Sequence, residues 1–344
     1  MAETALPGLD LPRLGAWFAQ AVPDAGASLR ATLITGGKSN LTYDVSDGIR
    51  HFIVRRPPLG HVLATAHDMA REYRVMSALQ GTAVPVPRMF ALCSDEAVIG
   101  APFTVMERVE GTSYARAAAL EAIGSARART VSERLVDTLA DLHAVVPDAV
   151  GLGDFGRPDG FLTRQVGRWK VQLDASRTRD LPAADELHRR LAAAVPAGRD
   201  AGIVHGDYRL DNVLIDAEDR PAAVIDWEMA TLGDPLTDLA LMLVYGRMAE
   251  HLGAGAGVTD ANLAPGYLGE DEIIDRYEAQ SSRDLSRFGF HLGLASFKLA
   301  GILEGIHHRY LHGQTVGAGF EGIGALVEPL LRSGLEALDT DQAR

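Results

Sequence analysis

Between about residue 29 and residue 56, apolar and polar positions alternate in short runs broken by glycine-rich turns: SLRATLI, TGGKSN, LTYDVSDG and RHFIVRR. That period of two predicts an antiparallel meander, and Pro57 and Pro58 stop its last strand. The period then lengthens. Over 65–80, Met69, Tyr73, Met76 and Leu79 fall on one helical face, with Gly81 as the residue after the helix. Strand-like runs return in RMFALC and FTVMERVE and end at Gly111. Leu11, Leu14, Trp17, Phe18 and Val22 predict a short amphipathic helix near the N-terminus. Beyond Gly111 the chain is helical in period or composition over 129–145, 161–176, 182–195, 235–250, 270–280, 284–311 and 320–337. The exception is 202–226, where GIVHGDYRLDNVLID and PAAVIDW read as short strands joined by polar loops. The Gly/Ala-rich stretch 251–269 reads as a loop. A β-rich first third and a helix-rich remainder predict an α+β chain of two lobes, 1–108 and 109–344.

Composition narrows the function classes. The formal net charge of −13 argues against general nucleic-acid binding, since phosphate backbones repel an acidic surface. A single cysteine, Cys93, excludes an intramolecular disulfide and a multi-cysteine zinc site. No run of roughly 20 apolar residues suits a membrane helix, and the N-terminus has no basic segment ahead of an apolar core. A cytoplasmic protein acting on a small molecule is the expectation, with no nucleic acid and no membrane as partners.

The sharpest chemical feature is His205-Gly206-Asp207-Tyr208-Arg209-Leu210-Asp211-Asn212, followed by the apolar Val213-Leu214-Ile215. A second short apolar run, Ala223-Val224-Ile225, leads into Asp226-Trp227. Phosphoryl transfer from ATP needs a carboxylate near the acceptor hydroxyl and oxygen ligands for Mg²⁺ on the phosphates. Asp207 suits the first role; Asn212 and Asp226 suit the second. Two polar loops capping strands would explain either segment alone, but not both in this order.

HGDYRLDN…VIDWEMATLGDPLTDLA resembles the catalytic core of the aminoglycoside phosphotransferase/choline kinase-like families. The resemblance implies a bilobal protein-kinase-like fold, with a β-rich N-lobe and a mainly helical C-lobe, using ATP and Mg²⁺. It further implies Asp207 as catalytic base, Asn212 and Asp226 as metal ligands, and His205 as a structural loop residue. Asp238 would start a helix and hydrogen-bond back into the catalytic loop, and Asp234 reads as well as a helix cap. A protein kinase would carry HRD, then DFG, then an APE-like segment, and this chain does not. A nucleotide-binding pseudokinase would lack one of Asp207, Asn212 and Asp226, and none is missing.

Two decoys fall away. Asp154-Phe155-Gly156 spells DFG but lies upstream of HGD, where a turn is the better reading. Gly37-Lys38-Ser39 mimics the end of a P-loop, yet the required first glycine would fall on Thr32. The turn Gly36-Gly37-Lys38-Ser39-Asn40 can instead present N–H groups to phosphates, which makes Gly37, Ser39 and Asn40 candidates for nucleotide binding. HFIVRR places Arg55 where the family pattern expects a strand lysine. A guanidinium keeps its charge and grips phosphate bidentately, and Glu72 on the next helix is placed to pair with it. Arg56 is the rival, but alternation sends it to the opposite face from Ile53 and Arg55. Met106 lies in the strand leading to the expected hinge, whose backbone would meet adenine.

The acceptor is less legible. Residues 161–180 carry Arg164, Arg168, Lys170, Arg177 and Arg179 against Asp174 and Asp180. Arg164, Arg168 and Gln172 share a helical face beside Trp169, which suits an anionic acceptor or simply a solvated face. GLGDFGRPDGFLTRQVGRWKVQL resembles the branch of the family found fused to acyl-CoA dehydrogenases. That resemblance implies a hydroxyacyl-CoA-like metabolite rather than an aminoglycoside, which would call for carboxylates. His291, Lys298, His307, His308 and Arg309 are weaker candidates for the acceptor pocket, because isolated polar residues on helices are usually surface or satisfied.

Overall fold

A computed structural model describes residues 6–26, 28–34, 40–59, 68–197, 201–253, 259–315 and 319–343. The expected phosphate-turn residues Gly37 and Ser39 lie outside them. The chain divides into two compact units, one of residues 1–111 with 222–230, the other of 112–221 with 231–344.

In the first unit, α1 (Leu11–Ala21) opens on Asp10, whose carboxylate accepts the Arg13 N–H at 3.0 Å. Strands β1 (Arg30–Leu33), β2 (Leu41–Ser46) and β3 (His51–Arg56) follow, then α2 (Met69–Leu79), β4 (Met89–Cys93), the single-turn α3 (Glu96–Ile99) and β5 (Phe103–Glu107). The strands form one sheet in the order β1-β2-β3-β5-β4, and all its pairs are antiparallel. The pleat explains the sequence alternation. Tyr43, Val45, Phe52, Val54, Phe103 and Val105 bury against Leu14 and Phe18 of α1. Phe18 meets Phe52 edge-on at 5.5 Å, and Trp17 meets Phe103 at 4.8 Å, the geometry that aromatic quadrupoles favour. The register pairs Ile53 with Met106 and Arg55 with Thr104, so these four share the opposite face.

Arg56 explains itself on the core side. Its Nη1 donates to the carbonyls of Gly8 at 2.6 Å and Ile99 at 2.7 Å, tying the N-terminal segment to α3. The buried face of α2 departs from expectation at one position. Glu72 and Val75 are buried with Met69, Met76 and Leu79, whereas Tyr73 is only half-buried. The cause is Arg55, which draws Glu72 inward.

The second unit contains α4 (Ala117–Glu121), α5 (Ser125–Ala144), α6 (Phe161–Ser176), α7 (Pro182–Ala193), β6 (Gly202–Val204) and β7 (Val213–Ile215). Within β8 (Pro221–Val224) the chain passes into the 222–230 segment of the first unit. It then resumes with β9 (Thr231–Gly233), α8 (Leu236–Leu252), α9 (Glu270–Gln280), α10 (Phe288–Leu311) and α11 (Val327–Ala343). α10 is buried on nearly every side from Phe288 to Glu304, as an apolar helix at the centre of a bundle must be, and it packs on α6, α8 and α11. Its expected start at 284 moves to Phe288, because Asp341 of α11 accepts the N–H groups of Gly289 and Phe290, both at 2.8 Å. The expected helix over 320–337 is a 3₁₀ turn at Ile323–Leu326 followed by α11.

β6 pairs antiparallel with β9, Ile203 opposite Leu232. The DFG decoy sits against β9: Phe155 is buried, and a Cβ on Gly156 would come within 2.6 Å of the Leu232 backbone nitrogen. Those residues are packing. No helix among the described residues is long and apolar enough to cross a membrane.

Candidate active site

In the second unit, the loop after β6 alternates inward anchors with outward chemistry. Tyr208 and Leu210 are buried, and the Tyr208 hydroxyl donates to the Leu135 carbonyl of α5 at 2.8 Å. Asp207 and Arg209 project between these anchors. Asn212 closes the loop, its Nδ2 donating to the Asp207 carbonyl at 2.8 Å and to Asp207 Oδ2 at 3.2 Å. Arg209 Nε lies 3.4 Å from Asp207 Oδ2 and its Nη2 lies 3.2 Å from Asp211 Oδ2. The same guanidinium stacks over Tyr245 at 4.8 Å. Gly206 takes φ +89°, a backbone state that side chains rarely tolerate.

The first turn of α8 holds this loop. Asp238 accepts the His205 N–H at 2.6 Å and the Gly206 N–H at 2.7 Å. Behind it, His143 of α5 approaches Asp238 Oδ2 at 3.4 Å through Nε2, and its Nδ1 meets the Tyr277 hydroxyl at 2.7 Å. All three are buried. Burial alone would raise the Asp238 carboxyl; the hydrogen bond from His143, the neighbouring histidines and the Gly206 N–H outweigh it and hold the group below its ordinary value. Burial depresses His143, so it is neutral at pH 7. His205 is fully buried, and its Nδ1 accepts the Asp207 N–H at 3.3 Å. Asp234 accepts the Leu236 N–H at 3.1 Å as a cap, while its other oxygen meets His291 at 3.0 Å.

The first unit gathers a second cluster. Arg55 Nη1 lies 2.9 Å from Glu72 Oε1, and Nη2 lies 2.6 Å from Asp226 Oδ1 and 3.8 Å from Glu228 Oε2. Asn40 Nδ2 donates to Glu228 Oε2 at 3.2 Å. Asp226 reaches this place because the 222–230 segment is pinned to the unit. Val224 N–H donates to the Pro85 carbonyl at 2.8 Å, and Arg71 of α2 donates to the Ala230 carbonyl. Trp227, fully buried, donates to the Val224 carbonyl at 2.9 Å. Asp226 adopts φ +67°, a left-handed state that Asp tolerates better than most side chains and that here turns the chain from β8 toward Trp227. Burial pushes the Glu72 carboxyl up to about 7, against the downward pull of Arg55.

Three carboxylates surround one guanidinium here, a surplus of negative charge in a largely desolvated place, and a divalent cation would offset it. Among the described residues no group of three or more His, Cys, Asp or Glu could by itself hold a metal ion. That donor set still fits Mg²⁺, which takes one or two carboxylates and completes its shell with phosphate oxygens and water. Met106 is buried on the Arg55 face of the sheet.

The cationic patch expected over 161–180 is smaller than the sequence count implied. Lys170 pairs with Asp174, Arg177 with Asp185 of α7 at 2.8 Å, and Arg179 with the buried Glu304 of α10 at 2.9 Å. Arg164 donates to the carbonyls of Arg157 and Asp159. Asp185 and Glu304, both outside the segment, offset two of these charges, leaving Arg164 and Arg168 without a carboxylate partner among the described residues, and Arg168 lies 5.6 Å over the Trp169 ring. The structure adds residues the sequence did not single out: Arg209, visible inside the HGD motif; Glu228, beside Asp226-Trp227; and His143 and Tyr277, for which no local signal existed.

A family model described as the phosphotransferase enzyme family, APH, matches residues 30–273. The chain is 36% identical over 318 residues to acyl-CoA dehydrogenase family member 11 of Gallus gallus, covering 91% of this chain and 40% of that protein. It is 32% identical to the Homo sapiens protein of the same description, covering 95% and 43%. The chain therefore spans about two-fifths of the length of these relatives. Among solved structures, a Ralstonia eutropha protein provisionally described as an aminoglycoside phosphotransferase superposes with TM-score 0.82 at 33% identity, covering 96% of this chain and 98% of that one. A Plasmodium vivax ethanolamine kinase matches at TM-score 0.58 and 13% identity, covering 95% and 85%, a likeness of fold alone.

Proposed function

Because the chain belongs to the phosphotransferase enzyme family, APH, with its kinase-like α+β fold, we propose that it moves the γ-phosphoryl group of ATP to a hydroxyl of a small anionic metabolite. A hydroxyacyl-CoA-like metabolite is one such acceptor, since relatives that match 91% and 95% of this chain are described as acyl-CoA dehydrogenase family members. A cytoplasmic setting, with its ATP supply, suits this reading. The observation that carries it is the Asp207 loop, in which Asn212 donates to both the backbone and the carboxylate of Asp207 while Asp238 pins the two preceding N–H groups.

In this reading Asp207 orients the acceptor hydroxyl and takes its proton as the phosphoryl group arrives. Asn212 and Asp226 hold Mg²⁺, which when bound neutralises charge on the phosphates. Arg55, steadied by Glu72, releases Asp226 and turns its free nitrogen to phosphate oxygens. Gly37, Ser39 and Asn40 offer donors to the phosphates, and Met106 supplies an apolar wall for the base. His205 and Asp238 keep the loop in shape and touch no reactant.

An aminoglycoside acceptor is the second reading, favoured by the description of the Ralstonia structure. Arg164 and Arg168 on the exposed face of α6 argue against it, since a polycation calls for carboxylates. ADP release measured across hydroxyacyl-CoAs, hydroxy acids and aminoglycosides separates the two. On whichever acceptor responds, Asp207→Asn keeps the shape and the Asn212 contact but loses the base. Turnover should fall by about 10²–10⁴-fold with the circular dichroism spectrum unchanged; near-native turnover would remove Asp207 from the role.

A further inference from the structure

Lys298 stands in the most apolar stretch of the chain. Its neighbours along α10, Phe297, Leu299 and Ala300, are buried, while Lys298 itself is half-buried, so its ammonium is partly desolvated and costly to leave unpaired. Among the described residues Lys298 has no carboxylate within ion-pair distance. Its one hydrogen bond goes to the Gly206 carbonyl, at 2.9 Å. An ammonium has three donors, so two are left without a protein partner. The tie to Gly206 sets the charge one residue from Asp207. The Trp169 ring lies 5.7 Å from Nζ, and the indole is itself fixed, buried and donating to Gln165 Oε1 at 3.2 Å. Burial lowers the ammonium from its ordinary value, while the charges of Asp207 and Asp238 pull it back up.

A lysine needed only to brace the loop would use one donor and gain nothing from two spare ones. We propose that Lys298 is the acceptor's anion anchor: it receives a carboxylate or phosphate carried within a few bonds of the hydroxyl presented to Asp207, with Trp169 as the wall beside it. The proposal rests on the phosphotransferase reading for what the anion belongs to. It narrows that reading to small acceptors whose negative charge lies close to the reacting hydroxyl, such as free hydroxy acids, and away from a hydroxyacyl-CoA, whose phosphates lie many bonds from an acyl hydroxyl. It also assigns specificity to a position that sequence alone gives no reason to prefer.

The test uses the full chain without nucleotide. The chain has three tryptophans, Trp17, Trp169 and Trp227, so ¹⁵N-labelled protein gives three indole signals and Trp169→Phe assigns the relevant one. Butyrate and inorganic phosphate are titrated against neutral, isosteric butyramide. The two anions should move the Trp169 signal saturably and butyramide should not. Lys298→Met should weaken the anion response by about tenfold or more, the scale of a lost charged hydrogen bond. Lys298→Gln, which can keep the Gly206 contact without the charge, should do the same, and unmoved Trp17 and Trp227 signals report an intact fold. An equal response to butyrate and butyramide, or an anion response that survives in both variants, overturns the proposal. So does a comparable loss of MgATP affinity in the variants, which would assign the ammonium to the nucleotide. MgATP binding by the unmodified chain is measured alongside. Its absence would count against the phosphotransferase reading, a failure distinct from that of the anion titration.

Discussion

Asp238 is a fully buried carboxylate whose partners are two backbone N–H groups and a neutral imidazole, so the shape of the Asp207 loop depends on a network with little slack. His143 is its titratable member, facing Asp238, Tyr277, Asp234 and Arg283, the last donating to the His143 carbonyl at 2.7 Å. Its folded pKa is depressed below the 6.5 of a free histidine. Below pH 6.5 the unfolded chain therefore binds a proton that the folded chain resists, and stability falls as pH falls; above 6.5 the term vanishes. Thermal unfolding between pH 7.5 and pH 5.5 should lose more stability on acidification in the native chain than in His143→Gln, a comparison that cancels the opposite contribution of Glu72, whose raised carboxyl takes up a proton in the folded chain over the same range. Identical slopes would show that some other group governs the range. Only Asp238 of this network is legible, through the family resemblance, whereas His143 and Tyr277 are ordinary helix residues until the fold brings them together. Arg55 was legible, because strand alternation alone separates it from Arg56. Lys298 reads in the sequence as one of several weaker candidates, because a lone lysine is usually solvated, and its place on a helix buried on nearly every side sets it apart.

At the scale of elements, the helical stretches read over 161–176 and 270–280 coincide with α6, which opens on its own buried Phe161, and with α9, whose start Glu272 fixes by accepting the Gly269 N–H at 3.0 Å. α10 did not follow its stripe. Its start is set by Asp341, which lies on α11 and serves as a cap supplied from another helix. A residue far away in sequence does the work that serine or aspartate usually does from the adjacent position. The prediction belongs to this element: Asp341→Ala should cost about 1 kcal/mol, read in urea unfolding. Amide exchange should accelerate at Gly289 and Phe290 before it changes elsewhere in α10. Asp341→Asn, which keeps an acceptor oxygen, should recover most of the loss. If exchange at those two amides is unaffected by Asp341→Ala, the start of α10 is fixed by packing against α11 alone. Close packing there is real, as a Cβ on Gly289 would fall 2.3 Å from the Ala337 carbonyl oxygen.

At the scale of the whole molecule, the change from β-rich to helix-rich texture revealed two units, but not that the chain returns to the first one. Residues 222–230 belong to the first unit, and nothing in PAAVIDW marks that destination; the burial of Trp227 and the contacts to α2 and Pro85 do. The return matters because it carries Asp226 to Arg55. Arg55 is shared among Glu72, Asp226 and Glu228, so removing one carboxylate of three should leave the chain nearly as stable as before. Binding is another matter. A ligand at about a hundred times its dissociation constant stabilises the folded state by about 2.7 kcal/mol, so MgATP should raise the melting temperature by a few degrees. Asp226→Ala should keep the ligand-free melting temperature and lose most of the MgATP-dependent rise, and ATP with EDTA should give the native chain a smaller rise than MgATP. A full MgATP shift in Asp226→Ala would mean that this carboxylate serves to hold Arg55 rather than the metal, and the charge surplus around that guanidinium would then need a different cation to explain it.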